Sequence, residues 1–204
     1  MERNLMVAGF GGQGVMTLGK FLAEAACDAT DKNVTFFPSY GAEQRGGTAN
    51  CYVVISDADI GAPLGDSMDD LIVMNDPSLQ KFLYKLLPGG TLFINSSIVK
   101  SEITRTDIKV VSAPVTEMAL DMGNAKVLNI IMLGIYIGCT QVVPAEVVWD
   151  TIARKPGSKP ALLPLNRKAF EAGLRIGAAP RWRPRDRRPP PPAPPAVGRP
   201  APAR

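Results

Sequence analysis

The chain has 204 residues, 46% of them apolar, and a formal net charge of +4. One domain of about 150 residues or more can be stabilised by apolar burial alone. The chain contains no histidine, which excludes Ser-His-Asp and Cys-His nucleophile pairs and metal sites that require imidazole. Its three cysteines, Cys27, Cys51 and Cys139, are too few and too far apart to bind an iron–sulfur cluster.

Strand-like and helix-like patterns alternate along residues 1–177. Short apolar runs predict strands at 5–9, 34–37, 49–55, 71–74, 91–95 and 108–111. Helical spacing and capping residues predict helices at 15–29, 76–87, 116–122, 125–139, 145–153 and 165–174. This alternation predicts one α/β domain over 1–177, with a Rossmann-like, mostly parallel sheet flanked by helices.

The cysteine content and the apolar runs also predict where the protein resides. The most apolar stretch, residues 127–139, contains Asn129 and is shorter than the ~20 residues that cross a bilayer. We therefore predict a buried helix there and no contact with a membrane. Sparse thiols without a signal peptide favour a cytoplasmic protein.

Residues 178–204 form a separate segment. Ten of its 27 residues are proline, and its seven arginines and one acid contribute +6, which leaves −2 for residues 1–177. The basic character thus belongs to this tail, and nucleic-acid binding is not predicted. The composition predicts a disordered or polyproline-like tail. Its role stays open between an extension without function, a basic contact with RNA or an acidic partner, and proline-motif recognition.

The first distinctive motif is a glycine loop between a strand and a helix, Gly9-Phe10-Gly11-Gly12-Gln13-Gly14. It matches the G-x-G-x-x-G pattern, in which glycines allow a tight turn and helix amides attract a phosphate or carboxylate. The second strand ends Phe36-Phe37-Pro38-Ser39 without the acid that holds a ribose, so NAD binding is disfavoured. Glycines that merely allow close strand–helix packing are the alternative.

The second distinctive stretch, residues 39–48, also follows a strand. It contains Ser39, Tyr40, Glu43, Arg45 and three glycines, among them Gly46 and Gly47. At the end of a strand in a parallel sheet, it should lie at the carboxyl edge beside the first glycine loop. We predict a binding role; a solvated loop with a local Glu43–Arg45 pair is the alternative.

Three other polar residues are candidates for the same edge. Asn75 and Asn95 each end a predicted strand, so either could point into the crevice or form a turn. Lys126 begins an apolar helix and could reach a partner or simply be a helix-end charge.

The order of the motifs resembles the gamma subunit of 2-oxoacid:ferredoxin oxidoreductases, closest to the 2-oxoglutarate (2-oxoglutarate synthase) type. The resemblance covers about residues 3–175 and is most specific at residues 38–47. The matching segments are Gly9–Gly14, Pro38–Gly47, Leu87–Gly90, Asn95–Ser97, Asn124–Ile130 and Leu162–Asn166.

The resemblance implies a non-redox subunit that is inactive alone. Thiamine diphosphate, Mg and iron–sulfur clusters would be held by partner alpha and beta subunits, with or without a ferredoxin-like delta subunit. The complex would decarboxylate 2-oxoglutarate, transfer the acyl group to coenzyme A as co-substrate, and pass electrons to ferredoxin. Pyruvate, branched-chain and indolepyruvate enzymes are alternatives, as are a stand-alone nucleotide-binding protein and a scaffold acting through its tail.

The resemblance implies no catalytic and no metal-binding residue in this chain. Instead it implies one face that contacts the thiamine-bearing subunits or lies beside the coenzyme A entry, where Arg45 would pair with a phosphate or a partner carboxylate. The residues of this face are Gly11, Gly12, Gln13, Gly14, Ser39, Tyr40, Glu43, Arg45, Gly46 and Gly47.

Overall fold

The computed structural model of the protein describes residues 2–40, 48–62, 65–154 and 160–179. The predicted tail from residue 180 onward lies outside the described residues. The strands are β1 (Glu2–Phe10), β2 (Asn33–Tyr40), β3 (Thr48–Ser56), β4 (Met68–Val73), β5 (Leu86–Asn95) and β6 (Lys109–Ala113). The helices are α1 (Val15–Ala29), α2 (Asp76–Phe82), α3 (Val115–Asp121), α4 (Leu128–Thr140), α5 (Ala145–Arg154) and α6 (Leu163–Ala178).

The six strands form one sheet in the order β2-β3-β1-β4-β5-β6. The pairs β1–β4, β4–β5 and β5–β6 are parallel, whereas β3 is antiparallel to both β1 and β2. The predicted α/β class and mostly parallel sheet are confirmed. The seven residues 41–47 between β2 and β3 suit a hairpin, because a parallel crossover needs a dozen residues or more.

The second helix is shorter than predicted. It ends at Phe82, a 3₁₀ turn follows, and β5 begins at Leu86, so the prediction that the helix continues to residue 87 is wrong. Leu86 pairs with Met68 of β4, and this tertiary pairing overrides the local helix pattern. The predicted strand 91–95 is confirmed as the second half of β5.

The sheet buries two apolar layers because successive side chains of a strand point to opposite faces. Leu5 and Val7 face the larger layer, which contains α1, α3, α4, α5 and α6. Met6 and Ala8 face the smaller layer beneath α2 and the segment before β6. The sheet therefore divides the core, and the carboxyl end of its strand β1 carries the glycine loop.

Helices α4 and α6 pack with their backbones in contact. A Cβ added to any of four glycines, two on each helix, would overlap main-chain atoms of the opposite helix. These glycines are Gly134, Gly138, Gly173 and Gly177. Residues 128–137 of α4 are all buried, yet within the described part of the chain no helix is long and apolar enough to cross a membrane.

A buried carboxylate ties the sheet to α4. Asp70 of β4 is fully buried, receives two hydrogen bonds from the Arg3 guanidinium at 2.5 and 3.0 Å, and accepts one from the Tyr136 hydroxyl at 3.0 Å. Burial, followed by the Asp70 charge, raises the pKa of Tyr136 well above its usual value, so the hydroxyl stays protonated and donates. The arrangement satisfies a charge that would otherwise be costly to bury.

We predict that Gly173→Ala lowers the free energy of unfolding by about 2 kcal/mol or more, because the methyl group would be forced into the α4 backbone. This cost exceeds the roughly 1 kcal/mol gained in helix propensity. Gly61→Ala is the matched control, because a Cβ there meets open space at ordinary φ. Urea denaturation of both variants checks the prediction, and equal midpoints would contradict it.

Candidate functional site

The candidate site is a crevice at the carboxyl edge of the sheet, between β1 and β4. The chain leaves β1 through α1 toward one side of the sheet and leaves β4 through α2 toward the other. Such a divergence of neighbouring parallel strands opens the crevice in which α/β proteins bind ligands and partners. The main chain crosses its floor, where the Met74 amide donates to the Ala8 carbonyl at 2.9 Å.

The glycine loop forms one wall of the crevice. Gly12 and Gly14 have φ values of 92° and 71°, which glycine adopts at little cost. Helix α1 begins after Gly14 without a side-chain cap or an acidic residue in its first turn. Its positive end is therefore available to an external carboxylate or phosphate.

Gly11 and Gly12 are the most accessible part of this wall. Both are exposed, and a Cβ built on either would meet no atom of the described residues within 4 Å. The described part of the chain thus leaves room over these two residues, and another chain or a ligand can approach their main chain closely.

Gln13 lies within the crevice and bridges its two walls. Its Oε1 accepts from the Phe10 amide at 2.7 Å and from Asn75 Nδ2 at 3.3 Å, while its Nε2 donates to the Met74 carbonyl at 3.1 Å. Gly9 beneath it has no room for a side chain, because a Cβ would lie 2.7 Å from Gln13 Oε1. The other three loop residues predicted for the contact face are glycines. Gln13 therefore has the one side chain among the four, and its hydrogen bonds are made within the protein.

The amides at the strand ends act as caps. Asn75 is fully buried and accepts from the Ser78 amide at 2.9 Å, which caps α2. Asn95 is also fully buried and donates to Thr116 Oγ1 at 2.9 Å. Asn75 thus both reaches Gln13 in the crevice and caps a helix, whereas Asn95 links the end of β5 to the start of α3.

One supporting residue was missed by the site prediction. Asn129 on α4 is buried, and its Nδ2 reaches the Gly14 carbonyl at 3.4 Å. The glycine loop is thereby held from the helix layer as well as from β4. The sequence feature that could have identified Asn129 is its position as the single amide side chain within the most apolar stretch, residues 127–139.

The second predicted loop begins and ends beside the glycine loop. Tyr40 pairs with Ala49, and Thr48 pairs with Phe10 of β1, so both ends of residues 41–47 lie at the carboxyl edge, as predicted. Ser39 is half-buried near the end of β2. The residues predicted for the contact face within this loop, Glu43, Arg45, Gly46 and Gly47, lie outside the described residues.

One lysine side chain reaches the same edge. The Lys81 ammonium on α2 lies 3.5 Å from Thr48 Oγ1, where the second loop ends. Lys126 is exposed and stands three positions before Asn129 in sequence. The Lys81 ammonium and the positive end of α1 both lie at this edge, which is therefore suited to anionic groups.

The site contains no described group suited to covalent chemistry. Cys51 is buried, its thiol donates to the Val15 carbonyl at 3.5 Å, and burial raises its pKa to about 12. It therefore remains a protonated thiol and supports the start of α1. No three acidic or cysteine side chains within the described ranges come together to hold a metal ion. The arrangement can bind through amides and cations, whereas it offers no nucleophile.

Comparison with known proteins gives a family and a set of relatives. The pyruvate ferredoxin/flavodoxin oxidoreductase family matches residues 4–176. The ketoisovalerate oxidoreductase subunit VorA of Methanothermobacter thermautotrophicus is 34% identical over 84% of this chain, which spans 36% of that protein's length. The 2-oxoglutarate synthase subunit KorC of Methanothermobacter marburgensis is 34% identical over 86% of this chain and 97% of its own length.

Solved structures share the fold. The gamma subunit of a keto/oxoacid ferredoxin oxidoreductase from Geobacter sulfurreducens matches with a TM-score of 0.77 and 28% identity, over 87% of this chain and 97% of that chain. The 2-oxoglutarate:ferredoxin oxidoreductase of Magnetococcus marinus matches with a TM-score of 0.79 and 23% identity, over 87% of this chain and 31% of that chain. The second likeness concerns the fold alone.

We predict that Gln13→Ala lowers the free energy of unfolding by about 1–3 kcal/mol, because the Phe10 amide and the Met74 carbonyl lose a buried partner. Gln80→Ala, at an exposed position of α2, should change stability by less than about 0.5 kcal/mol. Hydrogen exchange supplies the local measurement. The Phe10 amide should exchange faster in Gln13→Ala and at an unchanged rate in Gln80→Ala. Full retention of Phe10 protection in Gln13→Ala would contradict the bridge.

Proposed function

The chain belongs to the pyruvate ferredoxin/flavodoxin oxidoreductase family, and we propose that it is the gamma subunit of a multi-subunit 2-oxoacid:ferredoxin oxidoreductase acting on 2-oxoglutarate. The assembled enzyme would convert 2-oxoglutarate and coenzyme A to succinyl-CoA and carbon dioxide and would reduce ferredoxin. Alpha and beta subunits, with or without a ferredoxin-like delta subunit, would carry thiamine diphosphate, Mg and the iron–sulfur clusters.

Length and identity together support the choice of substrate, because a KorC protein matches over 97% of its length at 34% identity, whereas two gamma-type subunits of pyruvate enzymes match over 92% and 87% of theirs at 30% and 28%. This chain matches 97% of a KorC protein but only 36% of VorA, although the identity is 34% in both cases. A stand-alone subunit of about this size is thus found among 2-oxoglutarate synthases. A branched-chain or pyruvate enzyme is the second candidate, because a pyruvate/ketoisovalerate common gamma subunit from Thermococcus litoralis is 30% identical over 80% of this chain.

The crevice supports a binding role for this chain. Its described groups are main-chain amides at Gly11 and Gly12, the positive end of α1 and the Lys81 ammonium. These groups are complementary to a carboxylate of a partner subunit or to the phosphates of coenzyme A. They hold an anion without exchanging protons or electrons with it.

The second loop completes the proposed face. Both of its described ends lie beside the glycine loop, which supports a place for its residues in the same contact region. We assign Arg45 the pairing with a phosphate or a partner carboxylate, since a guanidinium binds either in a bidentate manner. The other members of the face are Ser39, Tyr40, Glu43, Gly46 and Gly47.

The proposed face predicts that Gly11→Val weakens subunit assembly or the apparent affinity for coenzyme A by about tenfold, or ~1.4 kcal/mol. The fold has room for the side chain, because Gly11 is exposed with ordinary φ and open space at its Cβ. Gly61→Val provides the control at another open, exposed glycine. Co-purification of partner subunits and coenzyme A titration measure the two effects, and a fully active Gly11→Val complex would remove the glycine loop from the face.

The substrate assignment predicts that a complex isolated anaerobically through a tag on this chain reduces a redox dye with 2-oxoglutarate and coenzyme A. Pyruvate, 2-oxoisovalerate and indolepyruvate should give lower kcat/KM values. A preference for a different oxoacid would contradict the assignment of 2-oxoglutarate as substrate and would leave the subunit assignment in place. A monomeric chain without thiamine-binding or cluster-bearing partners would refute the subunit assignment, and its glycine loop would then be tested for nucleotide binding.

A further inference from the structure

An apolar cavity lies where α4 and α6 end and α5 begins. It has a volume of about 460 Å³, and the described residues that line it are apolar apart from Gln141. Ile137, Val143, Pro144 and Leu174 form much of its wall. The cavity plays no part in the proposed function.

The chain itself passes the mouth of this cavity on its way to the tail. Ala178, the last residue of α6, lines the cavity. Ala179 then leaves the helix with φ −67° and ψ 134°, which is close to polyproline II geometry. The next residue in the sequence is Pro180, whose ring also fixes φ in this range.

The tail contains one aromatic residue, and it falls near this exit. Trp182 lies four positions after Ala178 and is the single aromatic residue between 180 and 204. An extended chain spans about 3.3–3.6 Å per residue, so Trp182 can reach roughly 13 Å from Ala178. An indole is a large apolar group that gains from burial, and a cavity of this size accommodates it.

The charges flanking Trp182 suit the same place. Arg181 and Arg183 stand on either side of it, and both α4 and α6 end at the cavity. The carboxyl end of a helix carries a partial negative charge that favours cations, and the last turn of α4 has no basic residue of its own. A back-folded segment would therefore insert the indole between helices while its guanidinium groups remain at the helix ends in contact with water.

We propose that the Trp182 side chain occupies this cavity, with residues 180–183 folded back over the carboxyl ends of α4 and α6. The segment is thus a tether within the same chain, which covers an apolar surface of the domain. The proline- and arginine-rich remainder of the tail starts from this anchor. This proposal is independent of the proposed function, because it involves neither the crevice nor a partner subunit.

Tryptophan fluorescence of the full chain tests the proposal. The chain has two tryptophans, so Trp149→Phe leaves Trp182 as the single emitter. We expect blue-shifted emission and several-fold weaker acrylamide quenching than in a synthetic peptide of residues 178–204, at every protein concentration. Emission and quenching equal to those of the peptide would overturn the proposal. Shielding that disappears on dilution would also overturn it and would assign the cavity to a second copy of the chain.

A variant of the cavity wall locates the binding site. Ala145 lines the cavity and is half-buried, so Ala145→Phe should fill it and make Trp182 as accessible to acrylamide as it is in the peptide. Ala58→Phe, at an exposed position outside the cavity, should leave Trp182 shielded. Unchanged shielding in Ala145→Phe would overturn the assignment to this cavity.

Trp149 contacts Arg167, and Trp149→Phe removes this contact. If that variant does not fold, a second measurement keeps Trp149 in place. The full chain labelled with 5-fluorotryptophan gives two fluorine signals, and Trp182→Phe identifies the one from the tail. The proposal is supported if the Trp182 fluorine signal differs in chemical shift from that of the peptide and moves to the peptide's chemical shift in Ala145→Phe. A Trp182 signal at the peptide's chemical shift in the chain that retains Ala145 overturns the proposal.

Discussion

The geometry of the crevice depends on a single amide side chain. Gln13 pairs with main-chain groups of Phe10 and Met74, which belong to the two walls that diverge at the edge of the sheet. Glycine at position 9 is required because the Gln13 side chain lies over it. Asn75 extends the same network, since it donates to Gln13 and also caps α2. The start of α2 and the shape of the glycine loop are thus fixed together.

A second constraint, remote from the crevice, fixes the helix layer behind it. The glycines of α4 and α6 bring two backbones into contact, which leaves little freedom for one helix to slide along the other. The Asp70 carboxylate connects this layer to β1 and β4 through Arg3 and Tyr136. Because α4 also supplies Asn129 to the glycine loop, the position of the loop relative to the sheet follows from helix packing.

Local sequence patterns predicted most of the fold. They failed where contacts between residues distant in sequence determine the structure. The six strands and most helices follow from apolar periodicity, and the edge position of the second loop follows from its place after a strand. The helix predicted to residue 87 stops early because Leu86 pairs with Met68, a contact between residues of different elements. The link from Asn129 to Gly14 joins residues 115 positions apart, and the inward direction of Gln13 depends on where Met74 lies. Neither could be inferred from a glycine motif, which specifies turn geometry and leaves the crevice contents undefined.

The chemistry of the described site also accounts for the pattern of relatives. A crevice lined by main-chain amides, a helix end and a lysine is suited to negative charge, and charge is common to partner carboxylates and to the phosphates of coenzyme A. No described group of the crevice distinguishes a branched oxoacid from a dicarboxylic one. On the proposed function, one such domain can therefore serve complexes with different 2-oxoacid substrates, and equal identity to a ketoisovalerate and a 2-oxoglutarate subunit is the expected consequence. Substrate choice would then depend on residues of the thiamine-bearing subunits, while this chain would supply a contact surface that does not depend on the oxoacid.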